Sequence, residues 1–144
     1  MSRFAGQFEH TIDTKGRVIV PSKFRDDLKD AYIVTLGLDG CLYLFSDEGW
    51  EKFSAQFENL PGNKETRKIR RYFMANAADC DIDKQGRTLI PAALREKAGI
   101  DKEVVFVGLI DKIELWSKER YDAQDDFDSV DEVAEDLSKL GVKF

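Results

Sequence analysis

Along the first patterned stretch of the chain, Phe8, His10 and Ile12 fall on one face and Gln7, Glu9 and Thr11 on the other. A period of two is that of a strand with one buried face. Asp13-Thr14-Lys15-Gly16 breaks the alternation with turn chemistry. An aspartate can accept hydrogen bonds from backbone N–H groups just beyond it, and glycine takes a positive φ cheaply. Arg17 to Val20 resumes as a short β-branched strand, so residues 7–20 read as a hairpin. Ser22 to Leu28 follows Pro21 as a short helix with Phe24 and Leu28 four apart on one face. Tyr32 to Leu36 and Cys41 to Phe45 make two more strands around Asp39-Gly40, a strong tight-turn pair. The unit is ββαββ.

Helical spacing takes over next. Ser46 to Leu60 places Trp50, Phe53 and Phe57 three and four apart behind a possible serine cap, and Pro61-Gly62-Asn63 ends it. Lys64 to Asn76 predicts a second helix, antiparallel to the first, with Ile69, Tyr72, Phe73 and Met74 on its apolar side. Its basic start, KETRKIRR, is read first as a solvated face, with a DNA contact as the lesser alternative. Residues 78–117 repeat the ββαββ pattern, with strands expected over 101–107 and 112–116. In the tail from Glu119 to Phe144, Val130, Val133, Leu137 and Leu140 keep helical spacing, which predicts a structural helix packed on the body or on a neighbouring subunit.

The repetition is also literal. IDTKGRVIVPSKFR at 12–25 returns as IDKQGRTLIPAALR at 82–95. Six of the fourteen aligned positions are identical (Ile12/Ile82, Asp13/Asp83, Gly16/Gly86, Arg17/Arg87, Pro21/Pro91, Arg25/Arg95), against roughly one from average residue usage. A unit of this size is small for a private core. The expectation is one compact pseudo-symmetric body made of two modules: 1–76 with its helical pair, and 77–144 with its acidic helix.

Composition narrows the function classes. The net charge of −6 comes entirely from the segment beginning at Glu119, which holds nine acidic and three basic residues; nineteen of each sign precede it. The acidity is therefore no bar to nucleic-acid binding by the body. No apolar run reaches bilayer length and MSRFAGQFEH lacks the order of a secretory signal, so a cytoplasmic protein without membrane contact is expected. Cys41 and Cys80 have non-cysteine counterparts, Lys112 and His10, which favours buried reduced thiols over a disulfide framework. The single histidine argues against a zinc site. Neither copy can assemble a nucleophile with its base, and neither glycine belongs to a phosphate loop. No enzyme and no cofactor are expected; a metal- or redox-dependent enzyme built on Cys41, Cys80 and His10 is the remote alternative.

What the turn offers is a fixed arginine with a lysine near its tip: Lys15 with Arg17, and Lys84 with Arg87. A guanidinium on a rigid hairpin can fork onto a phosphate or the guanine edge, while lysine acts as a point charge. The competing reading is that Arg17 and Arg87 pair with Asp13 and Asp83 and do nothing more, in a structural or protein-interaction oligomer.

These residues carry a resemblance. D-x-x-G-R, an apolar triplet, Pro and a short helix ending in Arg is similar to the DNA-binding module of the AbrB/SpoVT type. Two copies, IDTKGRVIVP and DKQGR with IELWS, resemble the MraZ family of bacterial transcriptional regulators over nearly the whole chain. The resemblance implies an α+β fold: a duplicated swapped-hairpin β-barrel with flanking helices, assembled into homo-oligomeric rings. It implies binding to tandem repeats in double-stranded promoter DNA of the division and cell-wall gene cluster, including the protein's own promoter, and hence a nucleoid-associated location. The implied DNA-facing residues are Arg17 and Arg87, and, by their place at the end of the short helix, Arg25 and Arg95. Lys15 and Lys84 join them from the turns, which Asp13, Gly16, Asp83 and Gly86 are expected to build. The chain departs from single-copy relatives at His10, Cys80, Asp26 and Glu96, where basic residues can stand. Each module therefore presents few cations, and multivalency is expected to supply the affinity.

Overall fold

The computed structural model describes residues 3–124 and 129–143. Each half folds as strand, strand, helix, strand, strand. The first comprises β1 (Phe4–Thr11), β2 (Arg17–Ile19), α1 (Ser22–Leu28), β3 (Ala31–Leu36) and β4 (Leu42–Phe45). A helical pair follows, α2 (Asp47–Glu58) and α3 (Lys64–Met74). The second half repeats the order with β5 (Ala78–Asp81), β6 (Arg87–Leu89), α4 (Ala92–Lys97), β7 (Glu103–Ile110) and β8 (Ile113–Ser117). It continues into α5 (Lys118–Ala123) and α6 (Val130–Lys139).

The first strand of each half pairs with the other half. β1 lies antiparallel to β7, from Phe4 opposite Ile110 to Thr11 opposite Glu103, and β5 lies antiparallel to β3. β4 and β8 join the halves at the centre, giving one antiparallel sheet in the order β1-β7-β8-β4-β3-β5. β2 and β6 pair only with each other, as a separate two-stranded ribbon. The expected closed barrel is thus corrected: the fold is α+β with an open six-stranded sheet and a ribbon. The physical reason is length. Three-residue β2 and β6 pair with one another, and the ribbon is tied toward β5 by the isolated bridge between Ile82 and Thr88 and by the bond from Thr88 Oγ1 to the Asp81 carbonyl at 2.8 Å.

Burial follows the alternation. Phe4, Phe24, Tyr32, Val34 and Leu44 from the first half form one core with Ile90, Leu94, Phe106, Ile113 and Leu115 from the second. A smaller aromatic core, Tyr43, Phe45, Phe73 and Trp116, lies under α2 and α3, with Trp50, Phe53 and Phe57 packed against it. Thr35 Oγ1 donates to the Phe73 carbonyl at 2.6 Å and pins α3 to β3. Asn63 and Thr66 form a reciprocal cap at the start of α3. No helix among the described residues is long and apolar enough to cross a membrane.

Candidate nucleic-acid interface

The two turns are built alike. Asp13 Oδ1 accepts from the backbone N–H groups of Lys15 at 2.9 Å and Arg17 at 2.8 Å, and Oδ2 accepts from Arg17 Nε at 3.1 Å. Asp83 does the same with Gln85 at 2.9 Å, Arg87 at 2.9 Å and Arg87 Nε at 3.1 Å. Gly16 and Gly86 close the turns at φ of 89° and 83°, where a residue with a Cβ is strained. Both aspartates are held below the usual carboxylate range, first by the backbone N–H of Arg17 or Arg87 and then by that arginine's side chain.

The remaining two arginines belong to the opposite turn. Arg95, from α4, lies against Gly16: a Cβ there would stand 2.6 Å from the Arg95 Cζ. Arg25, from α1, lies in the same way against Gly86. Backbone bonds lock the crossing, Ile90 N to Gly16 O at 2.9 Å and Val20 N to Gly86 O at 2.8 Å. Arg95 Nε donates to the Ile90 carbonyl at 2.9 Å, whereas Arg25 Nε is buried without a partner among the described residues. The structure therefore gathers Lys15, Arg17 and Arg95 at one turn, and Lys84, Arg87 and Arg25 at the other. Lys15 and Lys84 are exposed and the four arginines half-buried.

Between the turns runs the ribbon, with Arg17 opposite Leu89, Val18 opposite Thr88 and Ile19 opposite Arg87. Val18 and Thr88 are buried, so alternation turns Arg17, Ile19, Arg87 and Leu89 outward. Ile19 is 46% exposed and Leu89 55%. The outer face thus presents two guanidinium groups beside two aliphatic side chains. Arg17 uses only its Nε for Asp13, leaving its terminal nitrogens without a hydrogen bond among the described residues, while Arg87 also donates from Nη2 to Gln85 Oε1 at 2.8 Å.

Sequence reasoning missed three features of this face: the crossing of Arg25 and Arg95, the tether from Gln85, and the outward Ile19 and Leu89. The last had a signal, because a strand that buries Val18 and Val20 must expose Ile19. Cys41, Cys80 and His10 stand apart from the face. Cys41 precedes β4, Cys80 lies in β5 against Tyr32 of β3, and the His10 ring meets Phe106 at 5.8 Å. Both thiols are free and buried, and burial raises their pKa.

Comparison with known proteins agrees with this duplicated arrangement. The family model described as "MraZ protein, putative antitoxin-like" matches twice, over residues 3–72 and 73–139. The chain is 56% identical over 141 residues to the transcriptional regulator MraZ of Lachnoclostridium phytofermentans, covering 98% of this chain and 99% of that one. It is 48% identical over 140 residues to the protein of the same name from Thermoanaerobacter pseudethanolicus, covering 95% and 98%. With Acetivibrio thermocellus the identity is 42% over 142 residues, covering 96% and 99%. Two matches in tandem and full-length relatives place the chain in the MraZ family of transcriptional regulators, and not among enzymes.

Proposed function

We propose that the chain regulates transcription by binding double-stranded promoter DNA sequence-specifically through the β2–β6 ribbon and its two flanking turns. The observation that carries this reading is the outward pairing of Arg17 with Leu89 and Ile19 with Arg87. A two-stranded ribbon fits the major groove, where a guanidinium can fork onto guanine and an aliphatic side chain can meet the thymine methyl. Lys15, Lys84, Arg25 and Arg95 supply contacts to the phosphates. Each site holds few cations, so affinity comes from many copies in a homo-oligomeric ring engaging tandem repeats, spaced near one helical turn of about 10.5 base pairs. The family resemblance supplies the target, the promoter of the division and cell-wall gene cluster together with the chain's own, and a cytoplasmic, nucleoid-associated setting.

The test is footprinting and fluorescence anisotropy on DNA upstream of the protein's own gene, across a salt series. Binding is expected to weaken steeply with salt, and Arg17→Ala with Arg87→Ala to flatten the slope by about one unit for each phosphate that is no longer neutralised. Unchanged binding by the double variant would sink the assignment. One observation favours a second reading: both arginines pair with their turn aspartates at 3.1 Å. If they do only that, the oligomer is structural, and no promoter fragment shifts even at low salt.

A further inference from the structure

The two turns carry the same cations in different places. Each has one lysine and one outward arginine, Lys15 with Arg17 and Lys84 with Arg87, but the position that Lys15 fills in the first turn is filled by Gln85 in the second. The backbone does not register the exchange, since the N–H groups of Lys15 and Gln85 both donate to the turn aspartate at 2.9 Å. Exposure does not separate the arginines either, at 38% for the Arg17 side chain and 41% for that of Arg87. What differs is an acceptor. An ammonium group only donates, so Lys15 cannot hold Arg17, whereas Gln85 Oε1 accepts from Arg87 Nη2 at 2.8 Å.

Arg87 is therefore held at two nitrogens, Nε by Asp83 and Nη2 by Gln85, and Arg17 at Nε alone. Two points fix the plane of a guanidinium, while one leaves it free to swing. The tether does not exhaust the group, because both Nη1 hydrogens and the second Nη2 hydrogen remain to fork onto a pair of acceptors. The strand that carries Arg87 is also the more firmly tied. Tyr32 and Thr88 share a hydroxyl hydrogen bond at 2.8 Å, and Thr88 Oγ1 donates to the Asp81 carbonyl at 2.8 Å. In the other half, Val18 stands opposite Thr88 on the ribbon, and Val104 faces His10 as Tyr32 faces Cys80. Neither valine can make such a bond.

A guanidinium ordered before it meets its target pays less entropy on binding and accepts only what matches its fixed plane. That suits the O6/N7 edge of guanine, whose two acceptors lie in one plane, better than a phosphate, which can be met from many directions. We propose that the two turns read DNA unequally: Gln85 positions Arg87 to recognise a guanine edge in the major groove, while Arg17, with Lys15 beside it, adapts to the phosphate backbone. The ribbon, nearly two-fold in its backbone, is then one-way in its chemistry and sets the direction in which it lies on the duplex. The proposal rests on the DNA-binding reading of the ribbon and assigns base selectivity to one end of it.

The test uses the full chain, the duplex footprinted upstream of its own gene, and a set of duplexes with each base pair of that site replaced singly, titrated by fluorescence anisotropy at one salt concentration. The parent should lose affinity on the order of ten- to a hundredfold when one guanine is replaced, and Arg87→Ala, not Arg17→Ala, should abolish that penalty. Gln85→Ala should shrink the same penalty about two- to tenfold and leave the other positions as they were. Gln85→Lys should tighten binding to every duplex through its added charge and still shrink the penalty. Gln85→Glu keeps the acceptor, so it should keep the penalty while weakening binding throughout. Lys15→Gln should weaken binding yet create a new penalty that depends on Arg17. Urea midpoints equal to that of the parent are expected for all of these variants, because the turn bonds at these positions come from the backbone. A role through charge or folding alone moves all duplexes together, so an unchanged penalty profile in Gln85→Ala and Gln85→Lys overturns the proposal. A penalty that depends as strongly on Arg17 as on Arg87 overturns it too. If the parent binds all duplexes alike, DNA binding stands and this assignment falls; if it binds no promoter duplex, the DNA-binding reading itself fails.

Discussion

Asp13 and Asp83 each accept three hydrogen bonds on one exposed carboxylate, two from backbone N–H groups and one from an arginine Nε. Their folded pKa values lie below the ordinary 3.8. A depressed value means that the carboxylates stabilise the fold fully above the unfolded pKa and lose that contribution as pH falls through the lower, folded one. Acid titration should therefore loosen both turns from about pH 4 downward. Asp13→Asn with Asp83→Asn should flatten that limb when urea midpoints are compared across pH. Gly16→Ala should cost about 1–2 kcal/mol through the left-handed backbone alone, read as a lower urea midpoint, with the Arg95 guanidinium forced aside as well. The turns were legible because Asp, Gly and Arg recur at fixed spacing. The crossing of Arg25 and Arg95 was not, because sequence spacing says nothing about which copy a side chain reaches.

Among the elements, the short strands and helices follow the sequence pattern closely, with differences at their ends. α1 spans the expected Ser22–Leu28, while β1 begins at Phe4 and so extends beyond the alternating stretch. Phe4 is buried against Phe24, with ring centroids 5.7 Å apart, and pairing with β7 draws the strand outward to meet it. Long-range pairing of this kind leaves no local signature. Nor does Ile110, a β-branched residue held at a φ of 68° where β7 turns into β8, where the first half uses Asp39 and Gly40. The aromatic spacing of α2 and α3 does report their shared core. Phe73 sits 5.2 Å from Phe53 and 5.7 Å from Phe57, ring to ring. Truncating it in Phe73→Ala should cost about 3–5 kcal/mol, and hydrogen exchange should show α3 losing protection together with α2.

For the whole molecule, duplication announced two copies but not the open sheet, because closure depends on how far β2 and β6 extend, and three residues is too short to show in a periodicity. Since β1 pairs with β7 and β5 with β3, residues 1–76 and 77–144 expressed apart are each expected to lack a cooperative fold, and mixing them should restore one. Circular dichroism melts of the fragments and of the mixture check this. The same pairing sets a clock on the chain's birth. Phe4–Thr11 leaves the ribosome about a hundred residues ahead of its partner Glu103–Ile110. At about 5–20 residues per second, the N-terminal strand waits roughly 5–20 s without its ladder, its backbone donors open to any other nascent copy nearby. Crowded polysomes are therefore where pairing between chains competes with pairing within one.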